Sequence, residues 1–396
     1  MVVQPNNQNS TSLGEITTSF LYLGISAFGG LAMIEPMRRR VVEAKGWLSQ
    51  AEFFDGLALC QMIPGATMVQ LAAYAGYRLR GLPGALTAVA GFILPAFFLM
   101  AGLSWLYFRY GNLSWVQAVS RGFGALVIAL LIQTTWRLGQ TICRHWLDYL
   151  IAFLALVAFW TWRNYFLIFL TAGLLRLVLS WRGFTEARAT KAETKPRSSL
   201  GLFWLQMLSA TLALAAFILA LGRWDQILGR LALIFVKIGA ISFGGGYVMI
   251  PILQWEVVER LGWLTLRQFL DGILLSYATP GPLIILAAFV GYGVKGFWGA
   301  LTATVGVFLP PIMIIVCLFR PYQDFKESRW LRPPLQGILA ALLGMLAMVI
   351  WQMGQASLQD VRDLVLLAGA AAALMIFKIE MPWVAAAVAV ISLLIF

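Results

Sequence analysis

Residues 24–30 read GISAFGG and residues 239–246 read GAISFGGG, and the text that follows each is largely the same. The first stretch runs on to WRLGQ at 136–140, the second to WQMGQ at 351–355. Between those ends Pro36 matches Pro251, Gly46-Trp47 matches Gly262-Trp263, Phe53 matches Phe269 and Asp55-Gly56 matches Asp271-Gly272. Pro64-Gly65 returns as Pro280-Gly281, Gly76-Tyr77 as Gly291-Tyr292, GALTA at 84–88 as GALTA at 299–303, and Leu94-Pro95 as Leu309-Pro310. Chance does not align glycines, prolines and tryptophans in order over so long a stretch. An internal duplication in an apolar chain is a signature of secondary transporters, in which the substrate site lies where the two related halves meet.

Hydrophobic residues make up 61% of the chain and charged ones 12%, against about 45–50% and about 25% in soluble domains. Apolar runs of the roughly 20 residues needed to cross a hydrocarbon core recur throughout, continuous rather than alternating. The expected fold is therefore an all-α polytopic membrane protein in a lipid bilayer. In a soluble protein a net charge of +12 would suggest nucleic acid. Here most Lys and Arg sit in short connections and act as topology determinants, so no nucleic-acid partner is expected. Cys60, Cys143 and Cys317 are scattered, His145 is the single histidine, and no Walker A, HExxH or Cys/His cluster occurs. ATP-driven pumping and metal hydrolysis find no support, so neither enzyme, metal nor cofactor is expected.

The hydropathy pattern predicts about 13 transmembrane helices, near 15–33, 52–76, 82–107, 114–137, 146–161, 164–181, 202–221, 228–249, 269–293, 297–319, 334–354, 361–377 and 381–396. The organisation follows: a polar tail 1–14, a first repeat 15–181, a basic linker 182–199, an extra linking helix 200–226 and a second repeat 227–396. No Lys or Arg precedes Arg38, which argues against a basic signal-peptide start. The linker is rich in Lys and Arg and belongs in the cytoplasm, which places the N-terminus in the cytoplasm and the C-terminus in the periplasm. The unmatched helix between the copies makes them inverted-topology repeats. One conflict stands. Arg38, Arg39, Arg40 and Lys45 fall in a loop put outside, so either that segment re-enters the membrane or the first span is not a simple crossing.

Two breaks recur in each copy. The first is Phe28-Gly29-Gly30, matched by Phe243-Gly244-Gly245 with Gly246 added. The second is Pro64-Gly65, matched by Pro280-Gly281-Pro282. Glycine pairs let a helix unwind, and an interior proline removes a donor and clashes with the preceding turn. Broken membrane helices leave N–H groups at a positive dipole end, where anions bind. The plainer reading, close packing and a simple kink, weakens when both breaks recur in register. Before each Pro-Gly break stands a helix start, Ser49-Gln50-Ala51-Glu52 and Thr265-Leu266-Arg267-Gln268, both capping boxes.

Asp55 and Asp271 read as the acidic residues repeated at matched positions, either gating or proton-coupling groups or anions stabilised by a nearby helix start. Lys237 sits in an apolar run two turns before the second glycines, where the first copy has Tyr22. It either attracts an anion or snorkels from the span end. Gln61 and Gln70 flank the first Pro-Gly break as donors to an oxyanion, against Tyr277 and Leu286 in the second copy.

These motifs resemble the chromate ion transporter family in its long, two-domain form: FGG after a short apolar run, GWL followed by an acidic or amide residue, PG with Gln beforehand, and LP in the third span, all in order and twice. The resemblance covers nearly the whole chain. It implies an inner-membrane carrier exporting chromate, with sulfate as a structurally similar competitor. The chain departs where many members read FGGP then AH, having Leu31 and Ala32-Met33, and where they read PGP, having Pro64-Gly65-Ala66. Proton-coupled uptake of sulfate or another oxyanion is the rival within transport; a lipid-directed enzyme and a scaffold are weaker. Oligomeric state stays open, a homodimer included.

Overall fold

The computed structural model describes residues 11–26, 33–111, 113–184, 200–242, 247, 249–319 and 332–396. Among them are fifteen helices and no strand. The first copy comprises α1 (Leu13–Ser26), α2 (Ile34–Arg38) with a π-helical continuation Arg39–Ala44, α3 (Gln50–Met62), α4 (Thr67–Tyr110), α5 (Ser114–Ile142), α6 (Trp146–Trp162) and α7 (Tyr165–Phe184). After α8 (Leu200–Trp224) the same succession returns. It consists of α9 (Gln226–Ile241), α10 (Met249–Leu253) with a π-helical continuation Gln254–Arg260, α11 (Leu266–Ala278), a 3₁₀ turn Leu283–Ile285 leading into α12 (Leu286–Leu318), α13 (Arg332–Ser357), α14 (Val361–Met375) and α15 (Met381–Ile395). Five helical segments are long and apolar enough to cross a membrane, within α4, α5, α8, α12 and α13, and α6, α7 and α15 add shorter apolar helices. The molecule is a helical, polytopic membrane protein.

The duplication extends to single backbone angles. Left-handed φ values at Gly46, Gly65 and Gly81 recur at Gly262, Gly281 and Gly296, and those at Arg163 and Lys378 also match. The two capping boxes form as the sequence predicts. Glu52 N–H donates to Ser49 Oγ at 3.2 Å and Ser49 N–H to Glu52 Oε2 at 2.9 Å. Gln268 N–H donates to Thr265 Oγ1 at 3.2 Å and Thr265 N–H to Gln268 Oε1 at 2.9 Å.

The expected spans near 15–33 and 52–76 are corrected. Lys45 pairs with Glu15 at 2.7 Å, Arg40 reaches Ser19 at 3.3 Å, and Trp47 stacks on Phe20. The segment after α1 therefore returns along it, antiparallel. Likewise α3 and the start of α4 run side by side: Arg78 pairs with Glu52 at 2.6 Å and the Tyr74 ring lies against Gly56. Hydropathy counted each pair as a crossing because apolar residues look alike whether the chain continues or turns back. Of the four cations that conflicted with a crossing, Lys45 lies beside Glu15 near the start of α1, and Arg40 lies farther along it beside Ser19.

Straight, the 44 residues of α4 would span about 66 Å at 1.5 Å per residue. Instead the helix turns sharply at Arg80 (φ −140°) and Gly81 (φ 61°, ψ −148°), bringing the Gly76 and Gly84 backbones together. The same turn recurs at Lys295 and Gly296 (φ 59°, ψ −148°) with Gly291 against Gly299. Lipid offers no hydrophobic drive for helix association, so contact between backbones through small residues replaces it.

By contact the chain divides into two compact units, each drawing on both copies. Unit one holds Met1–Leu106, Lys195–Met249 and Leu275–Lys326; unit two holds Tyr107–Thr194, Ile250–Leu274 and Glu327–Phe396. In unit one α9 packs on α12, where Gly239 meets the Val307 carbonyl, and α1 packs on α4 at the matched pair Gly24 and Phe92. The α8 segment Trp204–Trp224 buries none of its apolar window, as suits a lipid-facing connector.

In unit two α13 carries α6 and α7, while α5 carries α14 and α15, so each copy's short helix pair rests on the other copy's long helix. Buried Asp148 and Asp363 mark the crossing points. Asp363 binds Arg121 at 3.1 Å, and at the matched positions Asp148 accepts from Gln336 at 3.1 Å and pairs with Arg176 at 3.2 Å. These are matched acidic residues that the reading of Asp55 and Asp271 overlooked, as it did Glu43 and Glu259.

A backbone with φ near 60° and ψ near −150° is open essentially to glycine alone. Gly81→Ala and Gly296→Ala should each cost about 1–3 kcal/mol, read as a lower melting temperature in detergent. Gly102→Ala, where an added Cβ meets nothing within 4 Å, should be neutral or stabilise by up to about 1 kcal/mol.

Candidate functional site

The two Pro-Gly breaks lie in unit one, together with Ser26 and Ser242, the residues from which the two glycine runs depart. Phe28, Gly29, Gly30, Phe243, Gly244, Gly245 and Gly246 themselves lie outside the described residues.

A proline ends α3 by removing a donor, and the chain must then satisfy the polar groups it exposes. It does so with the other copy. Gly65 N–H donates to the carbonyl of Ser242, joining the Pro-Gly break of copy one to the end of α9 in copy two. Ser242 is fully buried, and its hydroxyl donates to Ile238 O at 2.7 Å. Gly65 has φ +135°, and a Cβ there would strike Pro311 and the Gln70 amide. In the mirrored position Gly281 has φ +107°, and its Cβ would meet Ala96, the residue that matches Pro311. Each Pro-Gly break thus packs on the helix that follows the Leu-Pro motif of the opposite copy.

Gln70 is fully buried and its Nε2 donates to the Pro64 carbonyl at 2.6 Å. The Gln70 side chain replaces the hydrogen bond that the broken helix cannot supply, while its Oε1 has no partner among the described residues. The matched Leu286 is buried too and cannot do this; there a 3₁₀ turn follows the break, with Ile285 N–H donating to Pro282 O at 2.9 Å. Gln61 is exposed at the end of α3, and Lys237 is exposed on α9 without an ion pair among the described residues.

The matched aspartates have different surroundings. Asp55 is half-buried in unit one, whereas Asp271, in unit two, is 3% exposed and accepts a 2.6 Å hydrogen bond from the Tyr107 hydroxyl. Ser120 lies beside that carboxylate, yet Oδ1 has no hydrogen-bond partner among the described residues. Tyr107 and Ser120 line a cavity of about 190 Å³ that also takes in Gln117 and Arg267. Tyr107 was missed in the sequence, although the signal was present: it matches Tyr322, at the spacing that relates the copies.

Duplicated, broken helices, with the Gly65 break satisfied across the duplication, are an arrangement that membrane carriers use. The family described as chromate transporter matches residues 14–177 and 229–393. The "Chromate transport protein" of Pseudomonas aeruginosa is 33% identical over 89% of this chain and 84% of its own, and that of Cupriavidus metallidurans is 31% identical over 96% and 93%. A "Probable chromate transport protein" of Synechococcus elongatus is 32% identical over 88% and 86%. The chain belongs to the chromate transporter family. No solved structure matches it.

Gln70→Leu, which copies the second repeat, should leave the Pro64 carbonyl unpaired and cost about 1–3 kcal/mol. Gln61→Leu, at an exposed position, should cost within about 0.5 kcal/mol. Thermal melts of the purified variants check both.

Proposed function

We propose that this protein is a secondary transporter that exports chromate, a tetrahedral oxyanion, across the inner membrane, driven by the membrane potential or by ion exchange. The observation that carries the reading is the Gly65–Ser242 hydrogen bond, which ties helix breaks of both copies together in one unit. The proposed substrate groups are Pro64, Gly65 and Gln70, and Pro280, Gly281 and Pro282; with them go, by sequence alone, the glycine runs at 28–30 and 243–246, and more peripherally Gln61 and Lys237. A dianion leaving an interior-negative cell gains about 4.6 kcal/mol per 100 mV, so efflux needs no ATP.

The hairpins sharpen the topology. If α1 with α2, and α3 with the first arm of α4, each begin and end at the cytoplasmic face, four crossings remain in copy one and α8 makes a fifth. The second copy then starts outside, and the repeats are still inverted. Lys45, Arg78 and Arg80 fall on the cytoplasmic side with the 182–199 linker, as the positive-inside rule asks. Arg260 and Lys295 fall outside, where they are paired with Glu256 at 2.8 Å and Asp225 at 2.6 Å. The 1–14 tail, the two repeats and the C-terminus keep their expected places, cytoplasmic for the first and periplasmic for the last.

One observation favours a second reading, proton-coupled uptake of sulfate or another oxyanion: Asp271 is buried beside the Tyr107 and Ser120 hydroxyls with no cation paired to it among the described residues, the setting of a proton-binding carboxyl. Asp55 would be its partner in gating.

Radiolabelled chromate in proteoliposomes under an imposed potential decides between them. Chromate should leave interior-negative vesicles without ATP, slowed by excess sulfate. Sulfate moving while chromate does not, with uptake that follows a pH gradient and vanishes in Asp271→Asn, would replace the first reading by the second. For topology, Lys45→Cys and Lys191→Cys should react with an impermeant thiol reagent from the same side; opposite sides would restore the simple crossing.

A further inference from the structure

Three arginines stand in a row on α2 and its π-helical continuation, and they are not treated alike. Arg38 pairs with Glu35 at 2.8 Å and with Glu43 at 2.9 Å, and Arg39 pairs with Glu35 at 2.9 Å. Arg40 has no carboxylate partner among the described residues. It turns inward across the hairpin, its Nη2 3.3 Å from Ser19 Oγ and its guanidinium 5.2 Å from the centre of the Tyr22 ring. Its Nε is buried with no hydrogen-bond acceptor. Ser19 and Tyr22 lie about 9 and 14 Å along α1 at 1.5 Å per residue, and α1 ends four residues after Tyr22, where Phe28-Gly29-Gly30 follows.

A hydroxyl and an aromatic face orient a guanidinium but do not neutralise it. Arg40 is half-buried, and a cation partly withdrawn from water without a counter-charge is stabilised when an anion completes it. The planar fork of an arginine matches an oxyanion edge with two parallel N–H donors. The second copy does not repeat the device: VVE at 41–43 aligns with VVE at 257–259, which sets Glu256 opposite Arg40, and Glu256 is occupied by Arg260 and Tyr165. On the helix one hairpin arm earlier the exchange runs the other way, Tyr22 against Lys237.

We infer that Arg40 is a substrate-binding residue, holding the tetrahedral dianion with its guanidinium fixed by Ser19 and Tyr22. The inference rests on the oxyanion-carrier reading and assigns the charge-bearing contact to copy one alone.

The test is initial-rate chromate and sulfate flux in proteoliposomes, with melting temperatures in detergent. Arg40→Gln should raise KM for both dianions about ten- to hundred-fold, with a smaller effect on maximal rate. Arg40→Lys should recover part of the loss, and chromate should raise the melting temperature of wild type but not of Arg40→Gln. Arg39→Gln, which removes a neighbouring exposed charge, should leave KM unchanged. If Arg40→Gln does not fold, Arg40→Lys carries the test, through a raised KM at wild-type melting temperature. An unchanged KM in the Arg40 variants, or an equal rise in Arg39→Gln, overturns the inference. Absence of oxyanion flux in wild type instead overturns the carrier reading on which it rests.

Discussion

Within a bilayer a broken helix must find partners for its freed backbone groups inside the protein, and this requirement shapes the molecule. Pro64 and Pro280 break α3 and α11 away from the helices that follow, and water is not there to repair the break. The repair comes from the duplicated copy and from one side chain. Gly65 N–H finds the Ser242 carbonyl, and Gln70 takes the Pro64 carbonyl. Irregular backbone at depth is tolerated where it is buried in protein or lines a cavity, and here it is buried against the other copy.

The same logic makes the two copies inseparable. Asp363 reaches back to Arg121 and Asp148 reaches forward to Gln336, and each copy's short terminal helices are held by the other's long helix. A fold tied this way keeps an approximate two-fold relation while letting individual positions diverge. Gln70 against Leu286, Arg40 against Glu256 and Tyr22 against Lys237 are such divergences. They fall near the breaks, so the copies share a scaffold while their side-chain chemistry differs where a substrate would sit.

Much of this was legible in the residues. The Pro-Gly breaks and both capping boxes were read correctly because each is local: a cap is a hydrogen bond between residues three apart, and a proline acts on its own turn. The family was legible because its motifs occur in order, twice. The hairpins were not legible. The stretch 52–76 has the length and apolarity of a crossing, and nothing in its periodicity tells whether the chain after Pro64 goes on or turns back. Asp148 and Asp363 were legible in principle, since they stand at the repeat spacing, eight residues beyond the matched ends at Gln140 and Gln355.

The sequence by itself determined that the chain is helical, membrane-embedded and duplicated, and where its helices start and break, because those properties depend on composition and on neighbours within a turn. Only the tertiary structure decided the direction of the chain beyond each break and the partners of its polar groups. Tyr107 on Asp271, Ser242 on Gly65 and Ser19 beside Arg40 are contacts between residues far apart in the chain. Hydropathy encodes how deeply a residue is buried but not what it is buried against, so which arginine of three turns to Ser19 instead of a carboxylate could be read only from the folded chain.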